Sequence, residues 1–366
     1  MLDLLSAVVT IENPRTPLMQ VIRKKRPEGR LFVYFSEYGV LVARWSSRGV
    51  PTSLDFARGF PMGEARVVRP FLEEVGLVRR GNLVLATCGF SSSDRFIVKA
   101  EFDNPSRFRD PQYVSDYLNK NYPLGNSEKQ AAVITPDRGM PSSLGAAAGG
   151  REFLLCGCAR KTALAAQERC LEYGVYPERL ELTTISSLAA MIVHLRQAYI
   201  TTPVLVLDVT AGHTFAVILD QCAIASSKII HEGIDTWISR LQQRLQLDEL
   251  AVAKRLLCSD NFDFKDIGPE LLKSYLADVQ SIINYYEVAS GQAIGHIWIT
   301  GIPCHLSWVA SVLVSSFGLE DVTPRLVDWL ESQGIVADPS VIAGFEGCLF
   351  RLFSLMGNYD EEEARV

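Results

Sequence analysis

Between residues 30 and 44 the chain reads RLFVYFSE and then YGVLVAR, two runs rich in aromatic and β-branched residues around a short polar break. Such residues fit a pleated, half-buried surface, and Gly39 near the break suits a reversal, so the pattern predicts an antiparallel hairpin. A third strand is expected at 82–87. From 91 to 143 the chain is polar and interrupted by proline, with a helix expected over 111–121; the Gly and Ala crowded into 145–150 read as a loop. FLLCGCA (153–159) is apolar or small at every position and predicts a strand buried on both faces. KTALAAQERCLEYG then predicts an amphipathic helix stopped at Gly174, where a left-handed cap requires no Cβ. VYPERLELTT leads into a second helix over 186–199.

After Thr201-Thr202-Pro203 the pattern restarts. VLVLDVTAGHTFAVIL (204–219) predicts a strand, a turn of small residues and a second strand; 222–230 is a third. Helices are expected at 235–245 and 250–257. A long one follows at 269–290, with Leu272, Leu276, Val279, Ile283 and Tyr286 on one face. IGHIWITG (294–301) reads as a buried strand, followed by helices at 306–317 and 344–356 and an acidic tail at 360–363. Two strand–turn–strand openings, each followed by a third strand and helices, form a repeated plan, which duplicated lobes on mixed sheets would produce. Tight hairpins are antiparallel, so one doubly wound parallel sheet is disfavoured. The expected class is α/β in two lobes.

Composition narrows the function. Of 366 residues, 48% are hydrophobic and 21% charged, the balance of a chain with a well-filled core. A net charge of −6 weighs against a nucleic-acid binder, which needs clustered cations. The eight cysteines are scattered, and Cys156-Gly157-Cys158 matches neither a zinc nor a redox motif; reduced core thiols of a cytosolic protein are expected. No apolar run approaches the roughly 20 residues of a membrane span, and no signal-peptide pattern opens the chain. Leu2, Leu4, Leu5, Val8, Val9 and Ile11 precede a basic cluster, Arg23-Lys24-Lys25-Arg26. A solvated extension packing on the body is one reading, and an arm touching anionic lipid or an acidic partner is the other. The expected location is the cytoplasm, peripheral to a membrane.

Candidate chemistry concentrates in LVLDVTAGHT (205–214). A turn of Gly, Ala and Thr lets backbone N–H groups approach a polyphosphate, and Asp208 at the strand end can hold Mg²⁺-bound water or simply cap the turn. His213 reads first as a polar turn residue. His296 and His305 flank the last strand at a spacing that fits no metal pattern. P-loop, Gly-x-Ser-x-Gly and His-Glu-x-x-His motifs are missing from the sequence.

These segments resemble the PilM family of type IV pilus assembly proteins, members of the actin-like ATPase superfamily with FtsA, Hsp70 and the sugar kinases. HEGIDTWISRLQQRLQLDELAVAKRLL (231–257), SYLADVQSIINYY (274–286), IWITGIPCHLSWVASVLVSSFGL (297–319) and FLLCGCARKTALAAQERCLEYGVYPERLELTTISSLAAM (153–191) carry the likeness, in order over 31–356. It implies a ribonuclease H-like fold with an extension at 1–30, a first lobe at 31–202 and an FtsA/PilM-type subdomain inserted at about 96–165. A second lobe at 203–356 and an acidic tail at 357–366 complete it. It also implies ATP or ADP with Mg²⁺ held by Asp208, Thr210, Gly212, Thr214, Gly233, Lys254 and Gly301, with Asp208 on the metal through water.

Departures from the family point to a weakened site. Tyr34 and Ser36 stand where the first phosphate hairpin carries Asp-x-Gly, Thr210 where a glycine is expected, Ile302 where a second glycine would face the base, and Ala251 where a Glu would. No catalytic residue is assigned. The implied role is a non-enzymatic scaffold that docks the cytoplasmic tail of a PilN-like inner-membrane protein, in a groove drawn from the strands after Arg30 and from 96–164. Other inner-membrane or motor components of the pilus are further implied partners. The alternatives are an active phosphotransferase, with Glu37 replacing the missing acid, and a membrane-associated component like FtsA or GspL.

Overall fold

The computed structural model describes residues 30–37, 39–45, 52–61, 63–76, 78–100, 111–121, 129–134, 153–259, 262–302, 306–338 and 346–357. The expected N-terminal extension, the loop at 145–150, His305 and the acidic tail lie outside them. The chain divides into two units, one of residues 1–190, 330–342 and 351–366, the other of 191–329 and 343–350. The division falls about a dozen residues before Thr201-Thr202-Pro203.

The first unit opens with β1 (Arg30–Phe35), β2 (Gly39–Trp45) and β3 (Thr52–Pro61), followed by α1 (Ala65–Val75), β4 (Arg79–Arg80) and β5 (Leu83–Phe90). An excursion through β6 (Phe96–Ala100), α2 (Pro111–Asn121), β7 (Lys129–Ile134) and β8 (Phe153–Ala159) precedes α3 (Arg160–Glu172), β9 (Val175–Leu182) and α4 (Thr183–Gln197). The main sheet runs β3-β2-β1-β5-β9, antiparallel through its first three strands and parallel from β1 onward. The expected strand at 82–87 is β5, a parallel neighbour of β1, whereas the third strand of the meander is β3. TSLDFARGFP gave no strand signal because only Leu54 and Phe60 of its visible side chains are buried. Nor was β9 expected. Its Pro177 sits where the β5–β9 register shifts, a position that tolerates a residue without an N–H.

The excursion forms a separate antiparallel sheet, β6-β8-β7. Phe96, Ala100 and Leu155 from that sheet and Val114 and Leu118 from α2 make a small core of their own. Burial pushes the thiols of Cys156 and Cys158, both on β8, up to about 12, so they are inert core thiols.

The second unit repeats the plan with β10 (Val204–Val209), β11 (Thr214–Asp220) and β12 (Ala223–Ile230). Then come α5 (Ile234–Arg244), α6 (Leu250–Leu257), α7 (Gly268–Leu271), α8 (Lys273–Ser290), β13 (His296–Thr300), α9 (Ser307–Phe317), β14 (Glu320–Asp321) and α10 (Leu326–Ser332). The expected long helix at 269–290 is broken at Leu272 into α7 and α8. Its sheet runs β12-β11-β10-β13-β14, again antiparallel then parallel from the central strand. Leu205, Leu207 and Val209 of β10 pack with Trp237 and Leu241 of α5, Val279 and Ile283 of α8 and Val309 and Leu313 of α9. Burial of each such side chain contributes roughly 1.5–3 kcal/mol. The chain then adds β15 (Ile335–Val336) beside β3 and ends, among the described residues, with α11 (Glu346–Gly357). Among the described residues no helix is long and apolar enough to cross a membrane.

Candidate functional site

In open sheets of this kind ligands bind beyond the C-terminal ends of the parallel strands, where the strand order turns. In the second unit that point lies at the ends of β10 and β13. Asp208 pairs in register with Phe215 on β11 and with Thr300 on β13, so Gly301 leaves the sheet beside the β10–β11 turn. Six of the seven residues expected from sequence converge here: Asp208, Thr210, Gly212, Thr214, Gly233 and Gly301. Lys254 lies on a different element, exposed on α6 next to Arg255, and Ala251 is exposed on the same helix.

The turn is held from inside. The Thr210 N–H donates to the His213 carbonyl at 2.9 Å, and its hydroxyl donates to the same carbonyl at 2.7 Å. The His213 Nδ1, 3.1 Å from that hydroxyl oxygen, is then left as donor to it. His213 is thus a buried turn residue, as its place in the sequence suggested. The first two amides of α5 are also committed, Ile234 to the Thr210 carbonyl at 3.1 Å and Asp235 to the Ala211 carbonyl at 2.8 Å. A helix N-terminus is a ready anion site when its N–H groups are open; these two instead pin the turn onto α5. Gly233 makes the approach possible, because a Cβ there would lie 2.4 Å from the Thr210 carbonyl oxygen. The Thr214 hydroxyl donates to the Glu232 carbonyl at 3.0 Å.

Gly212 differs: it is exposed at the tip, and a Cβ there would meet nothing within 4 Å. Asp208 is buried at the strand end. Beside it Thr300, not singled out from sequence, has a buried hydroxyl without a hydrogen-bond partner among the described residues. Its signal was its place just before Gly301 in IWITG. Ile302, which follows Gly301, is buried in the core of the second unit. His296 faces Glu320 at 3.5 Å, and no cluster of three or more metal-ligating side chains occurs among the described residues.

The matching point of the first unit is the C-terminal end of β1 and β5. Tyr34, aligned by resemblance with a carboxylate, is 1% exposed and lies opposite Gly89 on β5. Its hydroxyl accepts from the Arg351 guanidinium at 2.9 Å and shares a 2.5 Å hydrogen bond with Ser91. Ser36 closes the hairpin, its hydroxyl donating to the Gly39 carbonyl and accepting from the Gly39 amide. Glu37 is exposed in that turn. The residues therefore fit a nucleotide unevenly. The turn of the second unit offers Asp208 and an open glycine tip; the end of β1 in the first unit presents a phenol and a guanidinium.

No protein-family model matches the chain, and no curated protein does. Among solved structures, it superposes on a chain of the PilM–PilN type IV pilus biogenesis complex with a TM-score of 0.70 at 15% identity, covering 92% of this chain and 100% of that one. The ethanolamine utilization protein EutJ from Carboxydothermus hydrogenoformans gives 0.47 at 11% identity, over 93% of each chain. A Bacteroides thetaiotaomicron protein with an actin-like ATPase fold gives 0.43 at 9%, over 85% of this chain and 96% of that one. The chain has the two-unit actin-like ATPase fold, with the same sheet order in both units.

Proposed function

We propose that this chain is a PilM-like cytoplasmic scaffold of type IV pilus assembly. It docks the short cytoplasmic tail of a PilN-like inner-membrane protein, and its nucleotide binding is weak or lost. The superposition over the whole length of the PilM–PilN neighbour supports the role. The inserted β6-β8-β7 sheet supports the docking surface, since an extended tail can add to a strand edge and gain backbone hydrogen bonds there.

The observation that carries the loss of phosphate chemistry is the Arg351–Tyr34–Ser91 chain at the end of β1. If ATP or ADP binds, Asp208 and the Gly212 turn would hold its phosphates and a Mg²⁺-bound water, and the metal would supply charge neutralisation there. Two measurements test the proposal. Isothermal titration with a synthetic peptide of the cytoplasmic tail of a PilN-like single-span membrane protein is expected to give a micromolar Kd or tighter. The thermal midpoint is expected to move little with millimolar ATP or ADP, with or without Mg²⁺, whereas tight binding would raise it plainly. A silent titration would end the scaffold reading, and Mg²⁺-dependent ATP turnover lost in Asp208→Ala would replace it with a phosphotransferase.

A further inference from the structure

On one face of the second unit's sheet, α8 and α9 pack beside each other and turn their outer positions to solvent. Those outer positions are nearly bare of charge. From Val279 to Ile294 the one charged residue is Glu287, and its carboxylate is engaged by the Ile294 amide at 3.0 Å. From Leu306 to Leu319 there is none. A solvated helix ordinarily carries charge on the side away from the core, and 21% of this chain is charged, so the bareness of two neighbouring helices is a local property of this face. The exposed positions of α9 include Ser307, Ser311 and Ser315. The last two hydroxyls donate to the carbonyls one turn back, at 3.3 and 2.8 Å, which lowers their demand for water.

The order of residues along α8 points to the occupant. Ala277, Ser281, Asn284 and Val288 recur at spacings of four, three and four, so they form one exposed line, with Tyr285 beside it. Val288 is 87% exposed and Tyr285 77%. The line is graded, small toward the N-terminus and large toward the C-terminus. A second α8 laid antiparallel brings the large half of each helix onto the small half of the other, about a two-fold axis beside Asn284 and Tyr285. A two-fold contact requires this kind of self-complementarity. Charge selects the same surface. Each copy carries a net −6, and two copies meet with least repulsion across a face that has no exposed charge.

We infer that the α8–α9 face is where two copies of this chain associate, as an antiparallel α8 pair in which each Val288 packs on the other copy's Ser281. The inference goes beyond the scaffold reading and does not rest on it. A helix pair of this length covers less than the roughly 1,200–2,000 Å² of a stable complex, so the dimer is weak and reversible.

Sedimentation equilibrium of the full chain, from micromolar to submillimolar concentration, tests it. Wild type is expected to dimerise reversibly across that range. Ser281→Asp and Val288→Lys are each expected to weaken the dimer at least tenfold while keeping the thermal midpoint near that of wild type, because both positions are exposed. Mixed together, the two variants are expected to associate again, since one contact then sets Asp against Lys and the other keeps Val288 against Ser281. A wild type that stays monomeric overturns the inference, as does a dimer that neither substitution weakens. A mixture that stays monomeric overturns the antiparallel pairing, and species larger than a dimer overturn the two-fold contact, which closes on itself. A silent titration with the tail peptide leaves this inference standing, and a monomeric wild type leaves the scaffold reading standing.

Discussion

The Arg351 guanidinium donates to the Tyr34 hydroxyl at 2.9 Å across 317 residues of sequence. The same hydroxyl shares a hydrogen bond with that of Ser91, 2.5 Å away, so a polar chain crosses from α11 through β1 to the end of β5. The chain ties the Arg351 turn of α11 to the end of β1.

Removing the hydroxyl alone should reveal its structural weight. Tyr34→Phe keeps the ring in place and leaves Arg351 without this acceptor and Ser91 without this partner. A loss of about 1–3 kcal/mol is expected for a buried partner left unmet. Chemical denaturation read by circular dichroism checks this. A midpoint equal to wild type would mean that the Tyr34 hydroxyl contributes nothing to the packing of α11.

Gly233 and Gly212, both expected at the phosphate turn, should respond in opposite ways. A Cβ at Gly233 would stand 2.4 Å from the Thr210 oxygen, 2.6 Å from the Ala211 oxygen and 2.6 Å from the His213 nitrogen, all backbone atoms that cannot swing aside. Gly233→Ala must push the turn off α5 and break the Ile234 and Asp235 hydrogen bonds, at an expected cost of about 1–3 kcal/mol or more. Gly212→Ala meets open space and should stay within about 0.5 kcal/mol of wild type. Urea unfolding of both variants settles the order, and equal losses would contradict it.

What the sequence made legible follows from where its signals are local. The hairpin at 204–219 was readable because β10 and β11 are buried on both faces and therefore apolar almost throughout. The turn between them was readable because its small residues are contiguous. β3 was not, since a half-exposed strand carries Asp55, Arg58 and Gly59 as readily as a loop does. β9 was hidden by Pro177 and by charges at Glu178, Arg179 and Glu181. The Arg351–Tyr34 contact was beyond reach because nothing in RLFSLM marks which residue of β1 it will meet. Long-range polar contacts are set by packing, whereas turns and buried strands are set by neighbours in the chain.

Beside the turn, Glu232 grips Arg240 with two hydrogen bonds, at 2.6 and 2.7 Å, and Arg240 also reaches the Leu271 carbonyl at 3.1 Å. Burial alone would raise the carboxyl of Glu232, but its hydrogen bonds from Arg240 and Ser274 and the Arg240 charge outweigh that and hold it below the usual glutamate range. A carboxyl depressed in the folded state contributes stability that is complete above its unfolded pKa, roughly 4.3, and is lost as pH falls through the folded value. Glu232→Gln should therefore lower the stability of the second unit by about 1 kcal/mol at neutral pH, a figure kept small because the pair is partly open to solvent. The gap should hold between about pH 5 and 8 and close below about pH 4, where the protonated acid in wild type comes to resemble the amide. Thermal unfolding of both proteins across that range reads the gap directly. A gap that widened toward acid would mean that Glu232 is held protonated, and that Arg240 grips a neutral group.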